Sequence, residues 1–192
     1  VNTGNEKLTG PERRLLLKMA RQAIESELAG LPFSLPRVTN PNLLEHRGAF
    51  VTLHKHGQLR GCIGTFSADR PLYEIVGDMA ISAAFQDQRF RPLRPSEFEE
   101  IDLEISALTP LRPITDINEI KTGSHGIYII REPFHGVLLP QVATKNGWDR
   151  LTFLDQTCMK AGLAPGCWKD PKTQVNIFSA EIFSEKSEGL LS

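Results

Sequence analysis

The octapeptide Leu59–Phe66 reads L-R-G-C-I-G-T-F: a thiol, Cys62, stands between two glycines, with a guanidinium two positions before it. A thiolate is a nucleophile when a nearby cation, helix N-terminus or histidine favours its charged form. Side chains on a strand alternate between faces. Arg60, Cys62 and Gly64 therefore share one face, and Leu59, Gly61 and Ile63 form the apolar face opposite. On the reactive reading Arg60 favours the thiolate, and Gly61 and Gly64 let a ligand approach the backbone. On the packed reading Cys62 is a small buried hydrophobe, as unpaired cysteines often are, and Arg60 simply pairs with a carboxylate.

Other polar groups offer partners to this thiol. His125, between Ser124 and Gly126 at the start of a strand, is placed to act as general base, as a binding donor, or as a turn histidine bonded to local backbone. Glu104 and Ser106 alternate with Leu103, Ile105 and Ala107, which gives that strand a polar face where Glu104 can orient Arg60. Asp87, Arg89 and Arg91 lie in an arginine- and proline-rich loop; the arginines can grip an anion, or Asp87 and Arg89 can lock the corner after a helix. Gln141 offers an amide to a ligand or caps a loop. His54 and His56 flank a turn with no third ligand placed beside them, so no metal site is expected. The P-loop, the dinucleotide G-x-G-x-x-G, H-E-x-x-H and G-x-S-x-G are all absent, and no cofactor is expected.

The elements that carry these residues follow from pattern. Thr9-Gly10-Pro11-Glu12 is a capping box opening a helix in which Leu15, Leu16, Met19, Ala20, Ala23 and Ile24 recur at helical spacing until Gly30 and Pro32 stop it. Residues 31–47 read as an extended connector. Residues 49–53 and 58–65 read as a hairpin about Lys55-His56-Gly57. A second helix carries Leu72, Ile75, Val76, Met79, Ala80, Ala83 and Ala84 and ends near Asp87. Ser96 and Glu99 suggest a capping box for a short helix. Strands are expected over 101–108, 127–131 and 137–139, and strand composition runs over 173–183. A single helical turn fits 114–122. A last helix is expected over 148–161, with Asn146 as N-cap and Gly162 past its end. Strands and helices do not alternate strictly, so the expected class is α+β (mixed α/β), a mainly antiparallel sheet flanked by helices.

The chain has 192 residues, 40% hydrophobic and 23% charged, with a formal net charge of −1. That suits one compact body with a smaller lobe. No like-charge block marks a nucleic-acid partner, and no apolar run marks a membrane span. The polar opening V-N-T-G-N-E-K-L is no secretory signal, and three irregularly spaced cysteines suggest no disulfide framework; both point to a cytoplasmic setting. Cys158 is expected in the core and Cys167 unpaired.

The stretch L-R-G-C-I-G-T-F, preceded by G-A-F-V-T-L, resembles the AMME chromosomal region (AMMECR) domain family, called AmmeMemoRadiSam system protein A in prokaryotes. D-Q-R-F-R-P, L-E-I-S-A-L-T-P, G-S-H-G-I-Y-I, L-L-P-Q-V-A-T, W-D-R-L-T-F-L and C-M-K-A-G-L follow in the family's order. The likeness covers residues 9–183, taken as a single domain of possibly two lobes, with tails at 1–8 and 184–192. It implies an α/β body with a larger and a smaller lobe, and the company of Memo-type and radical S-adenosylmethionine proteins. The residues then expected at the site are Cys62, His125 and Glu104 for catalysis, and Arg60, Gly61, Gly64, Thr65, Arg89 and Gln141 for a small anionic ligand. A ligand-binding or adaptor protein without turnover is the alternative.

Overall fold

The computed structural model describes residues 7–191. Its fold is α+β, with two four-stranded sheets. The chain divides into two compact units: one runs to Leu108 and resumes at Glu181, and the other is Thr109–Ala180.

The first unit opens with α1, Gly10–Leu28. Glu12 accepts a hydrogen bond from the Thr9 N–H at 2.6 Å, so the capping box forms as expected. A four-residue helix α2, Pro41–Leu44, interrupts the connector, where the Asn40 side chain accepts from the Asn42 N–H. Strands β1, Ala49–Lys55, and β2, Gln58–Thr65, form the expected hairpin. His56 and Gly57 close it with φ of 51° and 77°, the doubly left-handed geometry that matches strand twist. Helix α3, Leu72–Phe85, follows; then come a 3-10 helix, Pro95–Glu100, and β3, Ile101–Leu108. With the final strand β8, Ala180–Ser184, the sheet order is β2-β1-β3-β8. Val51, Leu53, Leu103 and Ile105 are fully buried on one face of this sheet, in one apolar cluster with Leu16 and Leu17 of α1 and Val76 and Ala80 of α3. Each such valine, leucine or isoleucine side chain removed from water stabilises the fold by roughly 1.5–3 kcal/mol.

Two local features depart from simple alternation. Leu53 pairs with Gly61 but His54 pairs with Leu59, so Arg60 is the extra residue of a β-bulge. Leu59 therefore leaves the apolar face and is exposed, whereas Gly61 stays buried. Residues 185–190, expected to be a tail, are anchored. Glu185 is buried, accepts from the Leu103 N–H and Arg21 Nη2, and leaves Leu190 packed on the core. Residues 1–6 and 192 lie outside the described residues.

The second unit orders its strands β4-β7-β5-β6: β4 Arg112–Ile114, β5 Gly126–Arg131, β6 Phe134–Leu138 and β7 Gln174–Phe178. Its two helices are α4, Pro140–Asn146, and α5, Arg150–Lys160. The sequence reading missed α4 and named Asn146 as the cap of the last helix. Instead Gly147, at φ 64°, ends α4, and Asp149 caps α5 by accepting from the Thr152 N–H at 2.8 Å. The strand expected over 173–183 is two strands in different sheets. Cys167 is not unpaired: it forms a disulfide with Cys158, both buried. This corrects the expectation of three free thiols. The bond ties α5 to the turn at Cys167–Lys169, and Asp155 reinforces it by accepting from the Gly166 N–H and Trp168 Nε1.

Candidate functional site

Cys62 lies on β2, an edge strand, and both of its backbone groups point away from β1. Its N–H donates to Asp87 Oδ2 at 2.9 Å, and its carbonyl accepts from Arg89 Nη2 at 3.3 Å. The facing pair Cys62–Thr52 is thus a non-hydrogen-bonded one, in which side chains lie closest. Accordingly Thr52 Oγ1 reaches Cys62 Sγ at 3.2 Å. Thr52 faces Glu104 on its other side, so Cys62, Thr52 and Glu104 form one row across three strands. Alternation placed Glu104 on a polar face; it could not place Thr52 opposite Cys62, because the bulge sets that register.

The glycines beside Cys62 are explained by packing. A Cβ on Gly61 would sit 2.2 Å from the Ala83 carbonyl oxygen of α3, and one on Gly64 would sit 2.2 Å from the Phe50 ring. At both positions the place a Cβ would take is filled by protein. Thr65, at the end of β2, uses its hydroxyl to accept from the Ser67 N–H at 3.0 Å.

The loop after α3 closes this edge. Asp87 Oδ1 accepts from the Arg89 N–H and Nε, at 3.1 and 3.0 Å, and Oδ2 accepts from Arg89 Nη2 at 2.7 Å. These arginine bonds, with the Cys62 amide, hold the buried Asp87 carboxyl well below the usual carboxylate range. Arg89 is thereby committed to Asp87 and to the Cys62 backbone. Phe90 lies between two guanidiniums, with Arg60 at 5.9 Å and Arg89 at 5.5 Å from its ring centre.

Arg60 does not pair with Glu104, as the sequence reading expected. Its Nε and Nη2 donate to the two oxygens of Glu97, at 3.1 and 2.9 Å. The bulge turns Arg60 out of the alternating row, and the 3-10 helix brings Glu97 to meet it. The arginine's two hydrogen bonds, with the Arg94 N–H and the Lys55 ammonium, hold the Glu97 pKa at about 2. Lys55 also pairs with Glu100 at 2.6 Å. Around this pair opens a cavity of about 390 Å³ lined by Lys55, Arg60, Phe90, Arg91, Arg94 and Glu97. Arg60 is 13% exposed, and its Nη1 is buried without an acceptor. Arg91 and Arg94 are exposed and form no ion pair among the described residues. Arg91 was already a candidate for gripping an anion; the signal that could have found Glu97 and Arg94 was the charge density of residues 89–97, read there as a loop and a cap.

Cys62, Glu104, Arg60 and Arg89 belong to the first unit; His125 and Gln141 belong to the second. His125 Nδ1 accepts from the Lys121 N–H at 3.2 Å, while the His125 backbone N–H donates to the Lys121 carbonyl at 2.9 Å. The ring is therefore bound to its local turn, and burial lowers its pKa, which keeps it neutral near neutral pH. Gln141, second residue of α4, buries its Oε1 without a donor. Among the described residues no cluster of histidine, cysteine and carboxylate groups is arranged to hold a metal, and no helix is long and apolar enough to cross a membrane.

The AMMECR1 family profile matches residues 17–183. A protein of Methanothermobacter thermautotrophicus is 46% identical over 189 residues, which span 93% of this chain and 96% of that one. Protein NEQ441 of Nanoarchaeum equitans is 41% identical over 177 residues, 88% of this chain and 98% of that one. The crystal structure of the uncharacterized protein PH0010 from Pyrococcus horikoshii superposes with a TM-score of 0.77 at 40% identity, covering 90% of each chain. The chain belongs to the AMMECR1 family.

Proposed function

We propose that this protein binds a small anion in the cavity beside the β2 edge, and that the L-R-G-C-I-G-T-F strand is the scaffold of that site rather than its reagent. The observation that carries this reading is Arg60. Glu97 fixes its guanidinium in place, Nη1 is buried without an acceptor, and the residue lines a cavity that Arg91 and Arg94 also border. A buried donor left unpaired costs roughly 1–3 kcal/mol, which an anionic oxygen recovers when side chains at the cavity wall move aside to open Nη1 to it. Pre-organised guanidiniums are suited to carboxylates and phosphates. In this reading the anion is a metabolite shared with the Memo-type and radical S-adenosylmethionine partners that the family resemblance implies.

A cysteine-dependent enzyme is the second reading, favoured by the Thr52 hydroxyl on the Cys62 sulfur and by Glu104 in the same row. The two separate on one experiment. Calorimetric titration with inorganic phosphate and acetate should show binding in the wild type and in Cys62→Ser, and loss of binding in Arg60→Ala, with folding of each variant checked by circular dichroism. Binding that vanishes in Cys62→Ser, or that persists unchanged in Arg60→Ala, would overturn the reading.

A further inference from the structure

The charges around the cavity do not cancel, and the imbalance specifies the ligand. Four cations border it: Lys55, Arg60, Arg91 and Arg94. Lys55 and Arg60 are matched by Glu97 and Glu100. Of the other acids nearby, Glu99 on the same 3-10 helix lines a different concavity, with Lys18 and Arg21. Asp87 is taken by Arg89. Arg91 and Arg94 thus stand as two unmatched positive charges at the mouth of one cavity.

We infer that the ligand is a compact dianion of the phosphate-monoester type, held by Arg91 and Arg94 at the mouth and by Arg60 within. The inference rests on the anion-binding reading above and adds the charge and shape of the ligand. A phosphate monoester carries roughly −1.5 to −2 charges at neutral pH and presents three acceptor oxygens, which suits three separately anchored guanidiniums. The cavity, at about 390 Å³, is near the small end of the roughly 300–1,000 Å³ typical of ligand pockets. Among the described residues, Phe90 and Pro92 are its only apolar lining residues. Phe90 already meets guanidiniums from Arg60 and Arg89. Little surface is left to stack a base or seat a long chain, so the ester's organic part is small.

Methyl phosphate and methyl sulfate test this directly. Both are tetrahedral and similar in size, and they differ by about one negative charge near neutral pH. Calorimetry on the full chain at low salt should give methyl phosphate the tighter binding by at least about ten-fold, equivalent to about 1.4 kcal/mol. Arg91 and Arg94 are exposed, so the double variant Arg91→Ala/Arg94→Ala should fold normally and should bring the two affinities within about three-fold of each other. Equal affinity in the wild type would overturn the dianion while leaving the anion site in place. Failure of both probes to bind at millimolar concentration would overturn the anion site and the inference with it. An unchanged preference in the double variant would place the discriminating charge elsewhere and refute the inference.

Discussion

Replacing Glu97 with glutamine removes one charge and almost no volume, so it isolates the electrostatics of the Arg60 anchor. In the wild type four donors converge on this carboxylate: Arg60 Nε and Nη2, the Arg94 N–H and Lys55 Nζ, between 2.9 and 3.2 Å. Together they lower its pKa from 4.5 to about 2. At about 1.36 kcal/mol for each pKa unit, the full difference is worth about 3 kcal/mol. The side chain keeps 17% of its surface exposed beside an open cavity, and solvent screening reduces the value. We expect Glu97→Gln to lower the unfolding free energy by about 1–2 kcal/mol near pH 6. The sign of its pH dependence follows from the lowered pKa: the contribution is complete above 4.5 and is lost as pH falls toward 2. Urea melts of both proteins at several pH values between about 6 and 3 should therefore show curves that converge on acidification. Carboxylates common to both proteins cancel in the difference. A gap that stays constant across that window, or no gap at pH 6, would refute the assignment of Glu97 as the counter-charge of Arg60.

Asp87→Ala should unfold more easily by about 1–3 kcal/mol, because the Cys62 amide and the Arg89 side chain lose their buried acceptor; amide hydrogen exchange at Cys62 should quicken, and an unchanged exchange rate would contradict the edge clamp. Gly61→Ala should cost about 3 kcal/mol in chemical denaturation, since its methyl group would meet the Ala83 carbonyl at 2.2 Å and neither backbone segment can yield cheaply. Without reductant, alkylation of the unfolded chain should label Cys62 alone, and Cys158→Ser/Cys167→Ser should lower stability by about 2–3 kcal/mol; labelling of all three thiols would show that the disulfide does not form. Arg47 is 2% exposed and bonds the Leu108 carbonyl and Glu181, so Arg47→Ala should destabilise by about 3 kcal/mol by leaving a buried carbonyl acceptor and a partly buried acid without their guanidinium.

The longer helices α1, α3 and α5 and the hairpin were readable because each depends on nearby residues, whereas the short α2 and α4 were not. The apolar spacing of α1 and α3 and the His56-Gly57 turn carry their own geometry. The polar row was half readable: alternation gave Glu104 and Cys62 their faces, but only register brings Thr52 between them. Arg60 was misassigned for a physical reason. A bulge changes the phase of a strand by one residue, and nothing in Q-L-R-G-C-I announces it. Glu97 was hidden because a counter-charge is chosen by tertiary approach, here thirty-seven positions along the chain. The disulfide was missed because cysteine count and spacing argue about frameworks, not about one bond between a helix and the turn that follows it.

The second unit leaves the first after β3 and returns to it as β8, its neighbour in the same sheet. Its neck is zipped at Thr109, whose N–H donates to the Ser179 carbonyl and whose hydroxyl accepts from the Ser179 N–H, both at 2.8 Å. During synthesis this order has a consequence. The strand that completes the first sheet emerges only after the whole insertion has been made, whereas all strands of the insertion lie within one continuous stretch. A nascent chain halted at Leu108 exposes the β3 edge and lacks Phe183 and Glu185, which are buried in the finished unit. An exposed strand edge is a template for pairing with other chains. The insertion therefore governs when the larger unit can close, and until β8 has emerged the β3 edge stands open.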